Sequence, residues 1–201
     1  KIVNTFEGGA VVTNDDELAA KLRLMRNFGF EGYDHVTHMG TNGKMSEASA
    51  AMGLSGLDSL DEFIKANYRN YTIYRRALAG ISGIRLLAYD EIERRNFHYI
   101  VVEVDESKTG ISRDDLVRIL HAENVLARRY FYPGCHEMEP YRSEYPQAGL
   151  RLTETKRLAA KVMTLPTGSA VGPEEIEVIC AIIALSAAHG PALGQKMAAL
   201  G

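Results

Sequence analysis

The sequence predicts an α/β fold on three observations. Helical periods alternate with short β-branched runs through the second half of the chain. Most of the helical stretches carry a capping residue or a first-turn proline as a start signal. Of 201 residues, 46% are hydrophobic and 24% charged, with 18 Gly and 6 Pro. That is enough apolar material for a core and unlike a disordered or collagen-like chain.

From the start of the chain, Glu7-Gly8-Gly9 is a turn signal and Ala10-Val11-Val12-Thr13 a β-branched run that reads as a strand. Asn14 or Asp15 then caps a helix in which Leu18, Leu22 and Met25 recur at helical spacing. Its acids come early (Asp15, Asp16, Glu17) and its bases late (Arg23, Arg26), as the helix dipole favours. Gly29 and Gly32 end it. Residues 30–43, rich in Gly, His and Tyr, read as a loop too irregular for an element. Ser46-Glu47 opens a small-residue helix whose face lets another backbone approach closely. Residues 60–78 form a longer helix with Phe63, Ile64, Tyr71, Tyr74 and Leu78 on one broad face.

After Gly80 the character changes. Residues 84–87 and 97–104 read as strands. Ser112 caps a helix, with Asp115 at the capping-box position. Residues 125–132 read as a third strand, stopped by Pro133-Gly134. Residues 152–162 read as a helix, 163–165 as a short strand, and 173–188 as an apolar helix with Pro in its first turn. Residues 189–201 are a Gly/Ala tail with no partner pattern. The expected organisation is therefore an edge of something larger (1–58), a connecting helix (59–80), a small α/β domain of order β-β-α-β-α-β-α (81–188) and a tail (189–201).

Charge and cysteine usage exclude several classes. Lys plus Arg number 23 against 26 Asp plus Glu, a formal net charge of -3. No basic excess points to nucleic acid or an anionic membrane. No stretch approaches the roughly 20 apolar residues that span a bilayer, and no signal-peptide pattern is visible. Cys135 and Cys180 have neither disulfide-scaffold nor zinc spacing. The expectation is a cytoplasmic, metal-free protein. The opening Lys1-Ile2-Val3-Asn4, without an initiator Met, reads as the start of a fragment.

Four motifs carry chemistry. Lys1 stands six residues before Glu7-Gly8-Gly9. A buried lysine has a depressed pKa, attacks aldehydes and shuttles protons, and the glycines let the backbone turn tightly. Gly40-Thr41-Asn42-Gly43-Lys44-Met45-Ser46-Glu47 offers the neutral amide donor of Asn42 in a glycine-flanked loop. Ala127-Arg128-Arg129-Tyr130-Phe131-Tyr132-Pro133-Gly134-Cys135-His136 ends a strand in aromatics and a histidine. Leu165-Pro166-Thr167-Gly168 precedes Gly172-Pro173-Glu174-Glu175-Ile176 and the last apolar helix. Other candidates are weaker. His35 and His38, at i, i+3, lack further ligands nearby. Cys135 beside His136 lacks an oxyanion site and an orienting acid. Arg94-Arg95 and Arg128-Arg129 read as solvated basic pairs.

Together the four motifs resemble, in order and spacing, the pyridoxal-phosphate-dependent nucleotide-sugar aminotransferases of the DegT/StrS type, over the chain to about residue 188. Lys44 departs from the family pattern, which has Arg there; the charge is kept and the planar fork lost. The resemblance implies an aspartate-aminotransferase-type fold (fold type I), of which this chain would be the end of the large domain plus the small C-terminal domain. It implies pyridoxal 5'-phosphate as cofactor and Lys1 as the catalytic lysine. It puts Asn42 on the cofactor phosphate across a homodimer boundary. It implies transfer of an amino group from an amino acid, glutamate, to a keto-deoxysugar on a nucleotide diphosphate. Tyr33, His38, Lys44, Tyr130 and His136 would meet that substrate, with His35, Tyr132 and Arg128 close by.

The run Asn27-Phe28-Gly29-Phe30-Glu31-Gly32-Tyr33-Asp34 and the Gly-Thr-Asn-Gly-Lys-Met form look most like enzymes that aminate 4-keto-6-deoxyhexoses on thymidine diphosphate. Aminocyclitol and other sugar ketones stand beside that subtype. Two further readings remain. A sugar dehydratase of the same fold would replace the lysine with His, and Lys1 argues against it. A non-catalytic scaffold or regulatory relative is opposed by the retained Lys1, Asn42 and Glu7-Gly8-Gly9.

Overall fold

The computed structural model describes residues 2–200, and Lys1 and Gly201 lie outside the described residues. The chain divides into two compact units, residues 1–61 and 62–201.

In the first unit, α1 (Asp16–Arg26) starts where its sequence dictates. Asp15 is the N-cap, its carboxylate accepting the Leu18 N–H at 3.0 Å. No residue of α1 is buried. The helix stops at Arg26, earlier than Gly29, because Asn27 leaves helical geometry as C-cap. Residues 10–13, expected as a strand, form none; Val12 is 93% exposed. β-Branching favours a strand only where a neighbour supplies pairing and packing. Conversely, residues 30–43 are not a plain loop. They fold a small antiparallel hairpin, β1 (Phe30–Gly32) with β2 (His35–Val36), turning at Tyr33 and Asp34. Ser46 caps α2 (Glu47–Asp58) by accepting the Ser49 N–H at 3.2 Å.

The boundary between the units falls in the first turn of α3 (Leu60–Ala77). In the second unit, α3 buries Asn67, Asn70, Tyr71 and Tyr74. The sheet contains β3 (Ile84–Leu86), β4 (Ile100–Val104), β5 (Arg128–Arg129) and β6 (Val162–Leu165), in the order β3-β4-β6-β5, and every neighbouring pair is antiparallel. The helices are α4 (Glu106–Thr109), α5 (Arg113–Ala122), α6 (Tyr141–Glu144), α7 (Thr153–Lys161), α8 (Pro173–Ala188) and α9 (Gly190–Leu200). Ser112 caps α5 as expected, accepting the Asp115 N–H at 3.0 Å.

Alternation along β4 buries Ile100, Val102 and Val104. They pack with Met163 and Leu165 of β6, Leu116 and Leu120 of α5, and Ile176, Ile179 and Ile183 of α8. Each such side chain stabilises the fold by ~1.5–3 kcal/mol relative to exposure.

Three expectations in this unit need correction. The strand expected over 97–104 pairs only from Ile100. The strand expected over 125–132 is confined to Arg128–Arg129, because Tyr130 already leaves the ladder with β6. Within the expected tail at 189–201, Gly190–Leu200 is the helix α9. No single helix among the described residues is long and apolar enough to cross a membrane.

Candidate active site

Lys1, the candidate amine, lies outside the described residues. The segment after it packs within the first unit. A Cβ on Gly53 would stand 2.9 Å from Thr5 Cγ2, and one on Gly8 2.8 Å from Met45 Cε, so this stretch lies against Met45 and α2. Asn42 is exposed, and its backbone pairs with Asn27 in an antiparallel bridge. Three backbone bonds tie the Asn42 loop to the end of α1. Phe28 N–H donates to Thr41 O (3.1 Å), Thr41 N–H to Met25 O (2.9 Å) and Gly43 N–H to Arg26 O (2.9 Å).

The crossing is possible only with glycine. A Cβ on Gly29 would stand 1.7 Å from His38 O, and one on Gly40 2.4 Å from Gly29 N. Phe28 beside them is held in the left-handed region at φ +59, a strained position for a bulky residue. Lys44 Nζ lies 4.9 Å from the Phe28 ring centre, a cation–π contact. At the hairpin tip Tyr33 is 97% exposed. His35 Nδ1 is 3.6 Å from Glu31 Oε2, and His38 Nδ1 pairs with Thr37 Oγ1 at 2.9 Å. A surface cavity of about 820 Å³ runs along Gly40, Thr41 and Gly43, between Val11 and Leu22.

In the second unit, the residues after β5 form an aromatic cluster. The Tyr130 ring is 4.2 Å from Phe131 and 5.1 Å from Tyr99. Tyr99 is fixed in turn by the Tyr89 hydroxyl, which donates to its carbonyl (2.8 Å) and accepts from its N–H (3.0 Å). Burial, then a hydrogen bond with Tyr99, pushes the Tyr130 phenol above its ordinary value. Tyr132 lies under two guanidinium groups, Arg129 at 4.4 Å and Arg113 at 5.2 Å from the ring centre.

The His136 side chain is only 7% exposed. Its Nε2 is 3.6 Å from Glu137 Oε1 and has no hydrogen-bond partner among the described residues. The Lys156 ammonium, 2.8 Å from Glu137, holds that carboxyl below the usual range. Arg128 is exposed on the edge strand. No group of three or more metal-ligating side chains occurs among the described residues.

Residues 1–184 match the DegT/DnrJ/EryC1/StrS aminotransferase family. The chain belongs to that family. It is 34% identical over 183 residues to a dTDP-4-amino-4,6-dideoxy-D-glucose transaminase of Shigella dysenteriae, covering 91% of this chain and 49% of that protein. A crystal structure of DesI in the presence of its TDP-sugar product superposes with a TM-score of 0.87 at 47% identity, over 98% of this chain and 50% of that one. DesV of S. venezuelae, solved in complex with a ketimine intermediate, gives 0.77 at 26%, over 88% and 46%. The chain spans about half the length of the curated relatives it matches. Its fold is accordingly an α/β fragment of fold type I.

Against this DegT/DnrJ/EryC1/StrS framework, the structure gathers the expected site residues into two groups. Tyr33, His38, Asn42 and Lys44 share the first unit's loop and hairpin. Tyr130, Tyr132 and His136 share the segment after β5. Sequence reasoning missed Phe28, Tyr99 and Arg113. Phe28 acts through a backbone angle that its identity does not announce. Tyr99 and Arg113 act through partners distant in sequence. The only local signal was Arg113 itself, a charged residue on the buried face of a capped helix.

Proposed function

We propose that this chain is the C-terminal half of a pyridoxal-phosphate-dependent sugar aminotransferase. It moves the amino group of an amino acid, glutamate, onto the keto carbon of a deoxysugar carried on a nucleotide diphosphate. The observation that carries the reading is likeness over nine-tenths of the chain to a transaminase named for a dTDP-aminosugar and to DesI. Residues 1–58 are the end of the large cofactor domain, 59–80 the connecting helix and 81–188 the small domain.

The residues fit the cofactor. A phosphate-bearing aldehyde needs a primary amine and neutral or cationic phosphate donors. The family motif supplies Lys1, and the exposed Asn42 amide stands in a loop that two glycines bring close to backbone. Pyridoxal phosphate, when bound, supplies the electron sink that lets a C–H bond beside nitrogen ionise. Lys1 would hold the cofactor through Nζ, its amine displacing the aldehyde oxygen as water, and would carry a proton from the donor's α-carbon. Asn42 would donate its amide N–H to the cofactor phosphate of a neighbouring subunit, which would make the working enzyme a homodimer. Lys44 offers charge to phosphate in place of the usual Arg. Tyr33 and His38 offer polar and aromatic surface to the sugar. The Tyr130 phenol and the His136 imidazole are the small domain's candidates for the substrate. The reaction belongs to the cytoplasm, where nucleotide sugars are made.

The test is a half-reaction panel. Full-length enzyme, with its cofactor converted to the amine form by glutamate, is mixed with nucleotide keto-sugars and with free keto-cyclitols. Return of the resting visible spectrum with a 4-keto-6-deoxyhexose on thymidine diphosphate is the expected result. Return with a keto-cyclitol alone overturns the substrate class and leaves the transaminase in place.

A further inference from the structure

We propose that Arg113 is a positioning residue for Tyr132, and that it acts through this ring on recognition of the sugar substrate. The proposal rests on the aminotransferase reading above and goes beyond it by assigning a buried residue that never meets a ligand.

Arg113 lies in the first turn of α5, yet its side chain is only 1% exposed. Burying a guanidinium is costly unless its donors and charge are engaged. Nε donates to Asp114 Oδ1 at 2.6 Å, and Nη1 donates to the carbonyl of Val162, the first residue of β6. Nη2 is buried and has no hydrogen-bond partner among the described residues. The Asp114 carboxylate pairs the charge, and the guanidinium also lies over the Tyr132 ring, 5.2 Å from Cζ. Asp114 also lies 3.9 Å from Arg129 Nη1, and Arg129 Cζ is 4.4 Å from the same ring. One carboxylate and two guanidiniums therefore clamp one phenol.

The clamp ties three elements together: the start of α5, the start of β6 and the segment after β5. Simple filling of this volume would not need a charge, and Met or Leu would do it at lower desolvation cost. The planar fork is what lets one side chain reach a carboxylate, a carbonyl and a ring at once. Tyr132 is 43% exposed, so its ring is fixed from inside the protein while part of it faces outward. It sits between Tyr130 and His136, the two small-domain residues assigned to the substrate.

The test uses the full-length holoenzyme and measures the two half-reactions separately, together with the thermal midpoint. Arg113→Lys keeps the charge and loses the fork. It should raise KM for the nucleotide keto-sugar about tenfold, the scale of one lost hydrogen bond to a charged group that holds the ring's support in place. The glutamate half-reaction should stay close to that of the unaltered enzyme, while the thermal midpoint falls because lysine leaves part of the buried hydrogen-bond set unmade. In a Tyr132→Leu background, Arg113→Lys should add nothing further. Tyr132→Leu alone reads the same effect from an exposed position, should Arg113→Lys fail to fold, while Tyr132→Phe should keep most of the KM. Equal losses in both half-reactions would make Arg113 merely structural and overturn the proposal. So would an unchanged sugar KM in Tyr132→Leu, or additive effects in the double variant. An unaltered enzyme that shows no glutamate half-reaction would sink the aminotransferase reading first, and this proposal with it.

Discussion

Gly40 has backbone where any side chain would have to go. A methyl group there meets Gly29 N, Met25 O and the Phe28 carbonyl carbon at about 2.5 Å or less, and all of these are main-chain atoms that cannot swing away. Gly40→Ala should therefore destabilise the first unit by ~1–3 kcal/mol and pull Asn42 out of register with Asn27. A urea midpoint and loss of cofactor affinity in the full-length enzyme would register the two effects. The two thiols form a second residue-level contrast. Cys135 is exposed, while burial, and then the charge of Glu177, push the Cys180 thiol up to about 12. Only the thiolate reacts. At pH 8 a thiol reagent should titrate one cysteine in the native chain and two in denaturant; two fast-reacting native thiols would contradict the packing of α8.

At the scale of elements, the loop between β6 and α8 hangs from α3 chiefly by Asn70, beside single bonds from Tyr74 to Pro166 O (2.9 Å) and from Arg69 to Val171 O (3.3 Å). Asn70 is fully buried. Its amide N–H groups are shared among Gly168 O (3.0 Å), Thr167 Oγ1 (3.3 Å) and Val171 O (3.3 Å), and its carbonyl accepts from Arg69. Asn70→Ala takes the donor from three half-buried loop acceptors at once and should cost ~2–3 kcal/mol. A urea midpoint that falls with an unchanged slope is the expected reading.

The elements that were legible in the sequence are those written locally. Asp15, Ser46 and Ser112 cap helices at the positions their types suggest, and Pro173 opens α8. The illegible ones depend on distant partners. α9 begins Gly-Pro-Ala-Leu-Gly, which reads as a tail. It is nevertheless a helix that seats so closely on the end of α4 that a Cβ on Gly190 would stand 1.7 Å from Thr109 O. The hairpin at Tyr33 likewise has no alternating pattern to announce it. In the candidate site, motif spacing puts forward Asn42 and Tyr130 as candidates. The clamp around Tyr132 joins residues 113, 129 and 132 through folding alone.

At the scale of the whole molecule, this chain carries two groups of site residues on two separate units, and each needs material beyond itself to act. Asn42 is assigned to a neighbouring subunit's cofactor, so inactive Lys1→Ala and Asn42→Ala enzymes, mixed and reassociated, should recover up to about a quarter to a half of the activity through dimers that keep one intact site. No recovery would place Asn42 in its own subunit's site. The account's central claim is that Lys1 is the amine of a transaminase, and one measurement meets it head-on: the visible spectrum of the full-length enzyme with pyridoxal phosphate, before and after glutamate. The account predicts a visible band that glutamate bleaches and a nucleotide keto-sugar restores, and that is absent in Lys1→Ala. A Lys1→Ala enzyme that still cycles through bleaching and recovery would contradict it.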